Sequence, residues 1–177
     1  SKLTMAEQMT IALRNAYYTK DGRDKNVFEE LKGFATFKKN GLDCGIEFFC
    51  GGQLRNKKGR NVFKACLDIS EANTPEDLFD ADEKTEDLKS RATRLLVVRD
   101  NTAEDRPPVA FAHFRFSMQG EVVEDMSGLT CLMVYEVSVA KGSQRKGIGT
   151  HLMVLMEIIG NLSQIPMTSP HPTQLRN

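Results

Sequence analysis

The residues richest in chemistry stand in one run, YEVSVAKGSQRKGIG, from Tyr135 to Gly149. Within it Gln144, Gly147 and Gly149 have the spacing Q-x-x-G-x-G, with Arg145 and Lys146 between them. Glycine lacks the Cβ that holds a ligand away from the backbone. The first turn of a helix also presents N–H groups with no partner along the chain, at the positive end of its dipole. Such a turn suits a phosphate or pyrophosphate, and the two cationic side chains have the right sign. The same glycines would also let a strand pack closely on a helix, and the spacing alone leaves both readings open. A nicotinamide fingerprint fits poorly, because it wants a third glycine where Leu152 stands.

Other reactive side chains read as structural. His113 and Arg115 lie in FAHFRF, with His113 expected to be satisfied in or beside the core, and His151 is expected to face solvent. Lys57, Lys58 and Arg60 belong to GGQLRNKKGR, which reads as a basic, solvated loop. Cys44, Cys50, Cys66 and Cys131 lack C-x-x-C spacing, which argues against zinc and for reduced thiols inside a cell. Twenty-four basic and twenty-four acidic residues cancel, so bulk charge gives no case for nucleic acid. No apolar run approaches the roughly 18 to 20 residues of a membrane span, and Ser1–Tyr18 is too polar for a secretory signal. Ser1 in place of an initiator methionine points to a trimmed chain.

The elements that must position the run can be read in order. Thr4 with Glu7 forms a capping box, and Met5, Met9, Leu13 and Ala16 recur at helical spacing, giving a first helix over about 5–18. After NGL, the alternation of Leu42, Cys44, Ile46 and Phe48 gives a half-buried strand. Thr74 as cap, Pro75 at the first position, and Glu76 and Asp77 at the positive end give a helix over about 75–90. TRLLVVRD is a short buried strand. VAFAHFRFSM alternates, with Val109, Phe111, His113 and Arg115 on one face and Ala110, Ala112, Phe114 and Phe116 on the other. A longer strand spans 129–140. The last helix runs from Gln144 or Arg145 to about Gly160, with Ile148, Leu152, Leu155 and Ile159 on one stripe.

Three blocks in this order, FKKNGLDCGIE, VAFAHFRF and YEVSVAKGSQRKGIGTHLMVLMEIIGN, resemble the N-alpha-acetyltransferase D family of the Gcn5-related N-acetyltransferase superfamily. A looser likeness covers residues 5–162. The resemblance implies an α/β fold with a mixed, mostly antiparallel sheet flanked by helices. It implies acetyl transfer from acetyl-CoA to a protein amino terminus, histone tails first, with nucleosome or ribosome as the wider setting in cytoplasm and nucleus. Neither a metal nor direct nucleic-acid or membrane contact is implied. The backbone of Val137, Ser138 and Val139 would pair with the pantetheine arm, and Gln144, Arg145, Lys146, Gly147, Ile148, Gly149 and Thr150 would wrap the pyrophosphate. Glu136 matches the family's proposed catalytic glutamate, and Tyr135 matches a tyrosine at the peptide site. Without the resemblance, Tyr135 reads equally as a core aromatic and Glu136 as an outward, solvated residue. A regular pleat sends residues 135 and 136 to opposite faces, so both reach one site only where the strand bulges.

The chain departs from the family's pattern at several points. Ser117 stands where the family has an acidic residue, Met133 replaces an aromatic residue, and no tryptophan is present to wall the peptide site. Beyond residue 162 the likeness ends, and the proline-bearing stretch 163–177 reads as a disordered tail behind an incomplete domain over 1–162. Strand 129–140 would then carry an open edge. The rival to an enzyme is an inert relative that serves as a protein-binding module.

Overall fold

The computed structural model describes residues 18–20, 23–25, 31–50, 53–54, 57–119, 129–162 and 167–168. The helix expected over 5–18 falls outside these residues except for Tyr18, which begins strand β1 (Tyr18–Lys20), paired antiparallel with β2 (Arg23–Lys25).

The main sheet starts at a turn that local chemistry dictates. Asn40 and Gly41, both at positive φ (54° and 78°), form the two-residue link between β3 (Thr36–Lys39) and β4 (Leu42–Cys50). Next come β5 (Arg94–Asp100), β6 (Pro108–Gln119), β7 (Leu129–Val139) and β8 (Met167–Thr168), in spatial order β3-β4-β5-β6-β7-β8. Neighbours run antiparallel as far as β7, and β8 joins β7 in parallel at Leu132 and Met133. A strand at 167–168 was not expected from a stretch with three prolines, yet Met167 and Thr168 both precede Pro170 and follow Pro166, so both keep their N–H for the ladder.

Helices cover both faces. Leu95, Val97 and Phe111 look toward α1 (Lys57–Asn73) and α2 (Ala81–Lys89), and pack with Val62, Cys66, Ile69 and Leu88. Leu96, Val98, Ala110, Ala112 and Phe114 look toward α3 (Ile148–Leu162), and pack with Ile148, Leu152, Leu155 and Ile159. The four residues Leu95 to Val98 are wholly buried, so each contributes about 1.5–3 kcal/mol of burial and together they anchor both layers.

Helix α1 corrects the sequence reading, which places a basic loop at Lys57, Lys58 and Arg60. Val62, Cys66 and Ile69 are spaced for one helical face and are all buried. The glycine that suggests a loop has a packing reason: a Cβ on Gly59 would lie 2.1 Å from the Gln53 carbonyl oxygen and 2.6 Å from the Leu54 Cα. The helix expected over 75–90 is also divided. Glu76–Leu78 is one 3-10 turn, and α2 starts at Asp80, whose carboxylate accepts from the Asp82 and Glu83 N–H groups. Thr74 does not cap it; its hydroxyl donates to the Ser70 carbonyl at the end of α1.

Candidate active site

The register of β6 on β7 sets the site. His113 faces Glu136 and Phe114 faces Val134, so Tyr135 is one residue too many. This is a β-bulge. It turns Tyr135 and Glu136 toward the same face of the sheet. The Tyr135 ring stacks on His113 (centroids 5.1 Å apart, 23° between planes) and lies 4.8 Å from the Arg115 guanidinium. The Glu136 carboxylate pairs with Lys84 of α2, each side chain 17% exposed. Arg115 in turn reaches Asp87 of α2, so α2 spans both partners.

Beneath Tyr135 lies a buried polar chain. The Thr93 hydroxyl donates to the Asp87 carbonyl (2.6 Å), which leaves its oxygen to accept from His113 Nε2 (3.1 Å). His113 is therefore the Nε2–H tautomer, with Nδ1 buried and without a partner among the described residues. Burial holds its pKa well below the usual histidine value, and the charges of Lys84 and Arg115 push the same way. Cys66 of α1 is buried on this face. Burial, with the Glu136 charge adding, pushes its thiol up to about 12, so it stays protonated and unreactive.

The edge of β7 leads from these side chains to the glycine turn. Ala140 N–H bonds the Val109 carbonyl, so alternation along the ladder points the backbone groups of Val137 and Val139 away from β6, and those of Ser138 toward it. Since β8 pairs only at Leu132 and Met133, no strand among the described residues lies beside Val137–Val139. The Val139 carbonyl accepts from the Asn73 and Gln144 side chains (2.9 Å each), and Asn73 Nδ2 also donates to Ser138 Oγ (3.3 Å).

Lys141–Ser143 is a 3-10 turn, and the chain then passes through Arg145 at φ 61° and Gly147 at φ 93°. Neither is a helical conformation, so α3 begins at Ile148 and not at Gln144 or Arg145. Its first bond runs from His151 N–H to the Gly147 carbonyl. The N–H groups of Ile148, Gly149 and Thr150 therefore have no carbonyl within the helix. The Asn40 side chain donates to the Lys146 carbonyl (2.8 Å) and fixes the turn. His151 does not simply face solvent: its Nε2 meets the Phe34 carbonyl at 3.1 Å and its ring packs on Phe37.

The fold thus brings Tyr135, Glu136 and the Val137–Thr150 run onto one continuous strand, turn and helix. Ser138 is placed differently from its neighbours: its backbone groups face β6 and its side chain is buried against Asn73. Sequence reasoning missed Asn73, at the end of an unforeseen helix, and Lys84, 52 residues from its partner with no local signal. Ser117 lies opposite Cys131 on β6, and Met133 is buried.

No family model matches the sequence. Among solved structures, an integron cassette protein from the mobile metagenome of V. cholerae is 10% identical, over 75% of this chain and 80% of its own, with a TM-score of 0.50. A ribosomal-protein-alanine N-acetyltransferase from Brucella melitensis is 17% identical over 71% of this chain and 78% of its own (TM-score 0.47). An aminoglycoside N-acetyltransferase in complex with CoA is 11% identical over 75% and 80% (TM-score 0.48). At such identities the likeness is one of fold. The chain shares its fold with the integron cassette protein, and it has the α/β architecture with a mostly antiparallel, helix-flanked sheet that the sequence resemblance implies.

Proposed function

We propose that the chain is an N-acetyltransferase that carries acetyl from acetyl-CoA to the amino terminus of a protein. Its inherited substrate class, by resemblance, is the histone tail. The observation that carries this reading is the bulge at Tyr135, which puts Tyr135 and Glu136 together beside a strand edge that runs directly into an anion-suited turn.

The glycines now favour the ligand reading over the packing one. Gly147 is required by its φ, but a Cβ on Gly149 would meet only Val137 Cγ1, at an ordinary 3.9 Å. Nothing among the described residues needs a glycine there, whereas a ligand lying over the turn would. Arg145, Lys146 and the N–H groups of Ile148, Gly149 and Thr150 suit a pyrophosphate. The edge groups of Val137, and the N–H of Val139, whose carbonyl is taken by Asn73 and Gln144, suit an amide-bearing arm. Acetyl-CoA would supply the acetyl group as an activated thioester.

Glu136 would act as general base. A free α-amine has a pKa near about 7.7–8.0 and is partly protonated at neutral pH, so a carboxylate that takes its proton, directly or through water, makes it a nucleophile. The Val137 N–H, on the free edge, is a donor for negative charge on an acyl oxygen. Tyr135, held between His113 and Arg115, would position the peptide.

Glu136→Gln tests the role. Turnover of an amino-terminal histone peptide should fall roughly 10²–10⁴-fold with acetyl-CoA affinity nearly unchanged. Equal losses of rate and cofactor affinity would show that Glu136 serves binding instead. One observation favours a non-catalytic protein-binding module: the base is already paired, with Lys84.

A further inference from the structure

Resting on the reading of Glu136 as the base, we infer that the corner between Glu136 and Phe111 is a binding subsite for a primary ammonium group, filled in this structure by the chain's own Lys84. The Lys84 Nζ is bonded to the Glu136 carboxylate and sits 5.9 Å from the centre of the wholly buried Phe111 ring, within reach of a cation–π contact. One anion and one aromatic face are what a primary ammonium requires, and an alkylammonium occupies them here. The substrate in the proposed reaction also arrives as a primary ammonium.

Lys84 can leave without disturbing the fold. On α2 the one buried residue is Leu88, near its end, and Asp87 ties that end to Arg115 and Thr93. Asp80, Ala81, Asp82, Glu83 and Glu86, which surround Lys84 in the chain, are exposed. Its four-carbon stem lets the ammonium swing out while the helix stays. An empty corner would leave a largely covered carboxylate without its bonded counter-charge, which is unfavourable. Lys84 removes that cost in the free protein. An incoming ammonium replaces it charge for charge, whereas an acetylated terminus or a hydroxyl cannot. Lys84 therefore selects for charged amines and shields the base until one arrives.

The test is a brief pulse of an amine-acylating reagent on the intact chain, read by mass spectrometry at Lys84 and at the exposed Lys141. In the free chain Lys84 should label roughly tenfold more slowly than Lys141, as a paired and covered amine does. Adding a peptide with a free amino terminus should raise Lys84 labelling toward the Lys141 rate, and the same peptide with an acetylated terminus should not. That pattern supports the inference even where no acetyl is transferred. Turnover of the peptide with Lys84 still protected would overturn the inference and leave the enzyme reading intact. Lys84 labelling as fast as Lys141 in the free chain would also overturn it. No release and no turnover would count against both.

Discussion

At the scale of single residues, the site is built by one extra amino acid. Without the bulge at Tyr135, either the tyrosine or Glu136 would face α3, and the two could not share a substrate. His113 supports the bulge from below and must stay neutral to do so. Its folded pKa is depressed, so near pH 6 the folded chain binds fewer protons at this site than the unfolded chain, and stability rises with pH there. The contribution is fully present above about pH 6.5 and is lost as pH falls, at up to about 1.4 kcal/mol per pH unit. Urea midpoints between pH 7.5 and 5.5 should fall accordingly, and the fall should be reduced in His113→Gln. An unchanged slope in that variant would show that His113 is charged in the fold or titrates elsewhere.

At the scale of elements, two helices carry separable demands. Gly59→Ala should destabilise by about 1–3 kcal/mol or more, because a methyl there meets backbone at Gln53 and Leu54 and backbone cannot step aside as a side chain can. Thermal unfolding measures it, and a neutral result would mean that the α1 entry is loose. Thr150→Asp separates stability from ligand binding at α3. Thr150 is exposed in the first turn, so an added carboxylate should leave stability equal or raise it by about 0.3–1 kcal/mol. The same charge would oppose a pyrophosphate, and acetyl-CoA affinity should fall at least about tenfold. Unchanged affinity by calorimetry would move the phosphate away from this turn.

These elements also show what was legible. The strands β4, β5, β6 and β7 and the stripe of α3 follow from alternation and helical period, because burial on one or both faces leaves its pattern in neighbouring residues. Helix α1 was hidden because Gly59, which serves a close backbone approach, and the basic residues beside it read locally as a loop. The start of α2 was misplaced because Thr74 and Asp80 are both good caps, and only packing decides between them. Lys84 and Asn73 act across 52 and 65 residues, beyond any periodicity. Tyr135 and Glu136 were named through resemblance. The bulge that joins them is a matter of register between two strands, which neither strand records alone.

At the scale of the whole molecule, five strands of antiparallel sheet end in a parallel pair that touches only at Leu132–Met133. At that contact β7 and β8 are joined, and beyond it the edge of β7 passes beside Tyr135, Glu136 and the glycine turn. The two apolar layers differ in duty: α3 presents the turn, and α1 with α2 covers the carboxylate. A ligand on the edge therefore touches what both layers position. The most direct measurement is a calorimetric titration of the 177-residue chain with acetyl-CoA, with circular dichroism on the same sample to confirm folding. The account predicts micromolar binding at one site per chain. Folded protein that gives no binding would contradict it.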